Sequence, residues 1–384
     1  MRTSGLALFV DCEALSALTI AYPKSATRNW VTCLKTLRNR FYYAVKPWMP
    51  QRFRLALRRW YTRRLRSKVA NVWPILPGSE VPPANWRGWP FGKQFALILT
   101  HDVEGPSGVS RCRRLMELEK ALGFRSSFNF IPEGPYRVSK ALRDELTGNG
   151  FEVGVHDLHH DGKLYDSHEG FLRKAERINQ YLREWDAVGF RSGFMFHNLE
   201  WAHQLDVHYE ASTFDTDPFE PQPDGAGTIF PFWVPNKSAA PRRRLPAGYG
   251  DGYAELPYTL EQDSTLFLLL EERTPEIWIK KLDWIAQHGG MALLNVHPDY
   301  MAMDGATPAS NEYPVEYYLD LLKHVSRHHE GRYLNALPKE IAAFVSHREH
   351  QSARSVTGSE TQIAASPATL PEPATQKDLS RNQA

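Results

Sequence analysis

The sequence predicts an α/β fold, a mainly parallel sheet joined by helical crossovers and curled into a barrel. Two observations carry that prediction. From Phe95 to Leu337, short apolar runs alternate with amphipathic segments of helical period, the pattern of successive βαβ units. Chemically capable polar residues also fall directly after several of the runs, as they do where a parallel barrel presents its reactive groups at the C-terminal ends of its strands.

The elements follow in order. Phe95–Leu99 is a short apolar run, Arg111–Leu122 is helical, Ser127–Ile131 strand-like, Ser139–Leu146 helical and Phe151–Val155 again strand-like. Phe171–Trp185 is helical, Val188–Arg191 and Tyr209–Phe214 read as strands, Ile277–His288 as a helix and Met291–Val296 as a buried strand. Tyr317–Arg327 closes with a helix and Tyr333–Leu337 with a last apolar run. About seven repeats with right-handed crossovers favour a barrel over an open layered sheet. Asp102, His156, Arg191, Asp215 and His297 each follow a strand-like run, so a barrel would gather them on one rim.

The flanks differ from this core. The 384 residues, 42% of them hydrophobic, suffice for a large core with appendages. Net charge is +2, but no Asp or Glu lies between Glu13 and Glu80, where lysines and arginines recur. A basic extension therefore precedes an acidic body. Within it Phe53, Leu57, Trp60, Tyr61, Leu65 and Val69 recur at helical spacing among arginines, behind Pro47 and Pro50, which predicts a basic amphipathic helix over Gln51–Val69. Such a helix suits peripheral docking on an anionic membrane, at about 1 kcal/mol per cation near the headgroups. It equally suits packing on the acidic body. No nucleic-acid recognition module accompanies it, so no specific nucleic-acid partner is expected.

Trp73–Gly92, rich in Pro, Trp and Gly, reads as an extended connection. Pro218–Gly252 mixes Pro and Gly with Phe219, Phe230, Phe232, Trp233 and Tyr249. That composition fits a loop ordered over the rim with stacking surfaces for a sugar, and equally a structural flap. From Ser346 onward Ser, Thr, Pro, Ala and Gln dominate, the composition of a disordered tail. The expected organisation is an extension over 1–72, a connection over 73–92, a catalytic domain over 93–345 and a tail over 346–384. Cys12, Cys33 and Cys112 are scattered without a CxxC pair, which points to free thiols in a reducing compartment. Asp11 and Glu13 interrupt the apolar Gly5–Val10, and no run approaches the ~20 apolar residues of a membrane span. The expected location is cytoplasmic, at most peripheral to the inner membrane face.

His156-Asp157-Leu158-His159-His160 offers imidazoles at i and i+4; a helical turn there would set His156 and His160 on one face, able to share a divalent metal. Asp102 and Glu104, two apart at a strand tip, point to the same side if the chain stays extended. One could complete a His-His-carboxylate site while the other acts as general base. His297 follows a fully buried run, a position that suits a structural histidine as well as a catalytic one. Arg191 could lower the pKa of a neighbouring carboxylate, or form a plain ion pair. Asp215, close before Pro218, fits a turn as well as a site.

Taken in order, these segments resemble the polysaccharide deacetylase family, also called the NodB homology domain or carbohydrate esterase family 4, over about residues 95–340. Thr100-His101-Asp102-Val103-Glu104 resembles its Thr-Phe-Asp-Asp motif, His156 and His160 match its His-x-x-x-His motif, Arg191-Ser192-Gly193 resembles its arginine motif, and Leu294-Asn295-Val296-His297 matches its Leu-x-x-His motif. The resemblance implies a distorted (β/α)7-type barrel that removes acetyl groups from N-acetylated sugars with a divalent metal, usually zinc. Transferred by position, Asp102 is the base, Glu104, His156 and His160 are metal ligands, Arg191 tunes the base and His297 protonates the leaving amine. Asp215, Trp233 and Tyr249 are the expected substrate contacts.

Several positions depart from the family pattern. The second carboxylate is shifted by one residue and is Glu104, because Val103 cannot ligate; His101 replaces an aromatic and is an alternative ligand; no Pro follows Arg191; and the Asp/Trp motif is unclear around Asp215. The expected substrate is an N-acetylated, less readily O-acetylated, glycan or lipid-linked glycan precursor. Two alternatives stand beside it: a related metal-dependent amidohydrolase of non-sugar C–N bonds, and a catalytically silent glycan-binding barrel.

Overall fold

A computed structural model describes residues 51–84, 86–237 and 251–356. The chain divides into two compact units, Met1–Leu57 and Arg58–Ala384. Of the first, the described part is the opening of helix α1 (Gln51–Arg66).

The second unit is built on a nine-stranded sheet. Its strands are β1 (Phe95–Val103), β2 (Ser127–Phe130), β3 (Glu152–His156), β4 (Gly189–Arg191), β5 (Tyr209–Glu210), β6 (Phe232–Pro235), β7 (Gly252–Glu255), β8 (Met291–Val296) and, beyond the small pair β9 (Met301–Ala302) and β10 (Tyr313–Pro314), β11 (Tyr333–Asn335). Strands β1 to β5 pair in sequence order, all parallel, and β7 continues in the same sense beside β5. On its other side β1 pairs with β8, Ala96 opposite Met291 and His101 opposite Val296. Isolated parallel bridges, Phe214 to Tyr258 and Leu260 to Leu294, link the chain after β5 to β8. The sheet thereby curls into the expected distorted barrel, with β6 antiparallel on β7 and β11 parallel to the start of β1.

Strand parity sorts the core into two layers. Leu97, Leu99 and Val103 face outward onto a helical shell that includes Leu115, Phe171, Ile178, Trp278 and Leu321. These come from α2 (Pro106–Ala121), α4 (His168–Trp185), α5 (Glu276–His288) and α6 (Glu316–His328), with α3 (Lys140–Gly148) beside β3. Ala96, Ile98, Tyr209, Ala211, Met291 and Leu293 face inward and meet Ile341, Ala342 and Val345 of α7 (Pro338–Val356). Each fully buried Leu or Ile contributes about 1.5–3 kcal/mol. Side-chain caps set two helix starts: Ser139 accepts from the Leu142 N–H at 3.1 Å and Ser167 from Gly170 at 3.2 Å.

Some expectations shift. Regular pairing in the predicted strand Tyr209–Phe214 is confined to Tyr209–Glu210, because side chains take the next amides: Ser212 N donates to Glu210 Oε2 at 3.1 Å and Thr213 N to Glu255 Oε1 at 3.1 Å. Helix α7 carries on past the expected start of the tail, and Ser346 is buried; residues 357–384 lie outside the described part. The Trp-rich connection packs rather than merely spanning, since Trp89 Nε1 donates to Gly289 O at 2.8 Å and Trp86 meets Phe230 edge-on at 5.0 Å. Phe219 likewise abuts Trp73 at 5.2 Å. These two loop aromatics therefore serve the core instead of offering a sugar-stacking surface.

Within the second unit, α1 pairs arginines with the acidic body. Arg59 meets Glu271 at 2.9 Å and donates to Leu268 O at 2.8 Å, while Arg63 also reaches Glu271 and Arg66 reaches Glu272. Trp60 on the same helix is 58% exposed. Among the described residues, no helix is long and apolar enough to cross a membrane.

Candidate metal centre

The inward parity of β1 carries past its apolar half to Thr100 and Asp102, and that of β8 to Asn295. Asn129 on β2 and Arg191 on β4 complete a buried polar group. Asp102 accepts from Asn129 Nδ2 at 2.9 Å, Asn295 Nδ2 at 2.8 Å and Arg191 Nη1 at 3.2 Å. Arg191 Nη1 also reaches Asn295 Oδ1 at 2.7 Å and Thr100 Oγ1 at 2.8 Å, and its Nε donates to Ala211 O at 2.7 Å. Burial drives the Asp102 carboxyl up, but His156, Arg191 and His297 outweigh it and hold the group well below the usual carboxylate range. It is ionised at neutral pH.

One ligand atom each from Glu104, His156 and His160 lies within 4.8 Å of the others. Glu104 Oε1 is 3.1 Å from His160 Nε2, and Tyr300 OH donates to Glu104 Oε2 at 2.5 Å. His156 Nδ1 donates to Arg191 O at 3.1 Å, which leaves its Nε2 carrying the lone pair. That Nε2 is buried with no hydrogen-bond partner. Burial raises the Glu104 carboxyl, yet His160 more than offsets it, and the net shift is well downward.

An orphaned imidazole nitrogen facing a second imidazole and a carboxylate is the donor set of a zinc-type cation. The Glu104–His156–His160 group fits such an ion.

Two expectations about this group are corrected. The chain after β3 does not make a helical turn. Asp157 and His160 instead adopt left-handed backbone, φ 56° and 54°, which Asp and His tolerate better than most residues. Asp157 fastens that turn through the amides of Leu158 at 2.6 Å and Gly193 at 3.1 Å, and a Cβ on Gly193 would stand 2.7 Å from the His160 ring. His101 is no alternative ligand: its parity points it outward, where Nε2 lies 2.6 Å from Glu119 Oε1 under α2.

His297 faces the group from β8's end, Nε2 3.8 Å from Glu104 Oε1. Its Nδ1 lies 2.6 Å from Asp263 Oδ1, and Asp263 Oδ2 accepts from the His297 N–H at 2.8 Å and from Tyr313 OH at 2.9 Å. Burial lowers the imidazole pKa, but Asp263, with Glu104 and Asp102 behind it, pushes it up to about 10. The ring is an imidazolium at neutral pH.

Solved structures with a similar chain path are known. The chain is similar to a Mycobacterium smegmatis protein assigned as a polysaccharide deacetylase, with 16% identity, a TM-score of 0.49, and coverage of 76% of this chain and 99% of that one. It is similar to the Bacillus subtilis peptidoglycan deacetylase PdaC at 13% identity and TM-score 0.39, over 70% of this chain and 98% of that one. A Bordetella bronchiseptica protein assigned as a polysaccharide deacetylase of O-antigen biosynthesis is 17% identical at TM-score 0.38, over 68% of this chain and 91% of that one. No protein-family model and no curated protein sequence matches the chain.

Of the three expected substrate contacts, two fall among the described residues. Asp215 is buried and ion-paired with Lys281 at 3.1 Å, beside Glu261 at 2.9 Å from the same amine, so its carboxylate has no exposed face for a sugar. Trp233 sits on β6 opposite Ala254, its ring 5.8 Å from His350 of α7. Tyr249 lies outside the described residues. Conversely, Asn129, Asn295, Asp263 and Tyr300 were not foreseen as parts of the site. The asparagines were detectable as polar residues at inward positions of otherwise apolar strands. Asp263 and Tyr300 carry no local signal.

Proposed function

We propose that this protein is a metal-dependent hydrolase that removes an N-acetyl group from a glycan. One observation carries the reading: an ionised, buried Asp102 and a protonated His297 flank a Glu104–His156–His160 group with an orphaned imidazole nitrogen. Glu104, His156 and His160 would hold the divalent cation, zinc by donor type. When bound, it supplies Lewis acidity that draws electron density from an amide carbonyl and eases proton loss from water.

The chain's own groups do the rest. Asp102 accepts the proton of the attacking water, held in one orientation by Asn129, Asn295 and Arg191. His297 donates its Nε2 proton to the departing amine as the C–N bond breaks, giving acetate and a free amino sugar. Asp263 keeps the ring charged and oriented in between.

The test is acetate release from chitooligosaccharides by zinc-loaded protein, with loss on Asp102→Asn. Zinc bound through His156 without acetate release would replace this reading by hydrolysis of a non-sugar amide. Neither zinc nor release would leave a glycan-binding barrel. The exposed Trp60 on a helix lined with arginines supports peripheral contact with an anionic membrane and hence a lipid-linked glycan substrate. If Trp60→Glu pelleted with anionic liposomes as well as wild type, contact through Trp60 would be ruled out; if wild type did not pellet at all, membrane contact would be.

A further inference from the structure

A second carboxylate–imidazole group stands on helices, away from the barrel mouth. Asp283 lies on α5, His324 and His328 are one turn apart on α6, and His329 ends that helix. His324 Nε2 and His329 Nε2 lie 2.8 and 2.7 Å from the same atom, Asp283 Oδ1. One ligand atom from each of the three lies within 4.8 Å of the others. The His328 ring is 4.5 Å from that of His324, and the group lines a cleft of about 290 Å³ together with Gln94 and Arg332. Gln94 immediately precedes β1, whose far end bears Asp102, so the cleft opens at the opposite end of the barrel from the proposed catalytic centre.

We propose that Asp283, His324 and His329 form a second binding site for a divalent cation of the zinc type. Two imidazoles and a carboxylate are the borderline donor set that zinc prefers. They already converge on one point, and His328, at i+4 from His324, is placed to add a fourth donor. Access is open, because the Asp283 side chain is 38% exposed while His329 is 7% exposed. Nothing in the proposed hydrolysis uses these residues.

Arg332 sets the terms of binding. Its Nη2 lies 3.0 Å from His329 Nδ1, and a guanidinium only donates, so that nitrogen bears the lone pair and the proton sits on Nε2, toward Asp283. A cation on Nε2 requires the proton to move to Nδ1 and the exposed Arg332 side chain to swing away. Arg332 is thus a built-in competitor. An ion here ties α5 to α6 at the base of the barrel and adds stability by mass action.

Metal-stripped full-length protein titrated with zinc tests this. Wild type should take two ions per chain, His156→Ala one, and His156→Ala with His324→Ala none. In the His156→Ala background, zinc should raise Tm, Asp283→Asn should weaken binding about 10–100-fold, and Arg332→Gln should tighten it. Asp283→Asn should leave acetate release unchanged. A His156→Ala protein that takes no zinc overturns the proposal, as does undiminished uptake after both His324→Ala and Asp283→Asn. Loss at the mouth alone would overturn only the hydrolase reading.

Discussion

The two ends of the barrel bury carboxylates in the same way and treat them oppositely. At the mouth, the inward Asp102 receives Arg191 and two asparagine amides, and its pKa falls well below the usual range. At the base, the inward Glu152 receives only the Tyr209 hydroxyl at 2.8 Å and the Lys339 backbone N–H at 3.1 Å, and burial pushes its pKa up to about 7. Burial always opposes the charge; whether a cation lies in contact decides the outcome. The metal-type groups contrast similarly. At the mouth His156 Nε2 is left without a partner, whereas at the base both imidazoles satisfy themselves on Asp283. The mouth leaves a donor nitrogen open, and the base closes its donors on one another.

The sharpest way to break this contrast is Asp102→Asn, which removes the proton acceptor while keeping a hydrogen-bonding shape. Acetate release should fall about 10²–10⁴-fold with zinc content unchanged; an unchanged rate would show that the mouth carboxylate is only structural. The next effect is on stability. Lys281→Met strands Asp215 and Glu261 in the core and should cost about 3–5 kcal/mol in urea unfolding; a near-neutral result would mean that those carboxylates are already protonated.

Glu152 tests the base. Its folded pKa of about 7 exceeds the ordinary 4.5, so the folded state binds the proton more tightly and stability falls as pH rises from about 4.5 through 7. The full loss is about 3 kcal/mol, and Glu152→Gln should flatten that stretch of the stability–pH curve. A variant as pH-sensitive as wild type would remove Glu152 as the cause. The smallest expected effect is at Asp263→Asn, which leaves His297 in place but less firmly charged. Acetate release should drop about 10–100-fold, with the alkaline limb of the rate profile moved to lower pH; an unmoved limb would deny Asp263 its positioning role.

Much of this was legible beforehand. Phe95–Leu99, Phe151–Val155 and Met291–Val296 announced strands through composition alone, and the residues after them, Asp102, His156 and His297, meet at one end of the barrel. Two-residue parity foresaw that Glu104 and Asp102 share a side. The same parity, applied to His101, would have turned it outward to Glu119. Illegible were the left-handed turn at Asp157 and His160, the pairing of Asp215 with Lys281, and Asp263 behind His297.

The sequence by itself determined the alternation of strand and helix and the side of the sheet on which each strand-end residue falls, because periodicity is local and strand geometry transmits it over a few residues. Only the tertiary structure decided which charges meet. Asp215 became a buried ion pair rather than a sugar contact, and Asp263 became the partner of His297, because their partners lie on segments far along the chain. The same held for Asp283, His324 and His329, which approach one another only once α5 and α6 pack side by side.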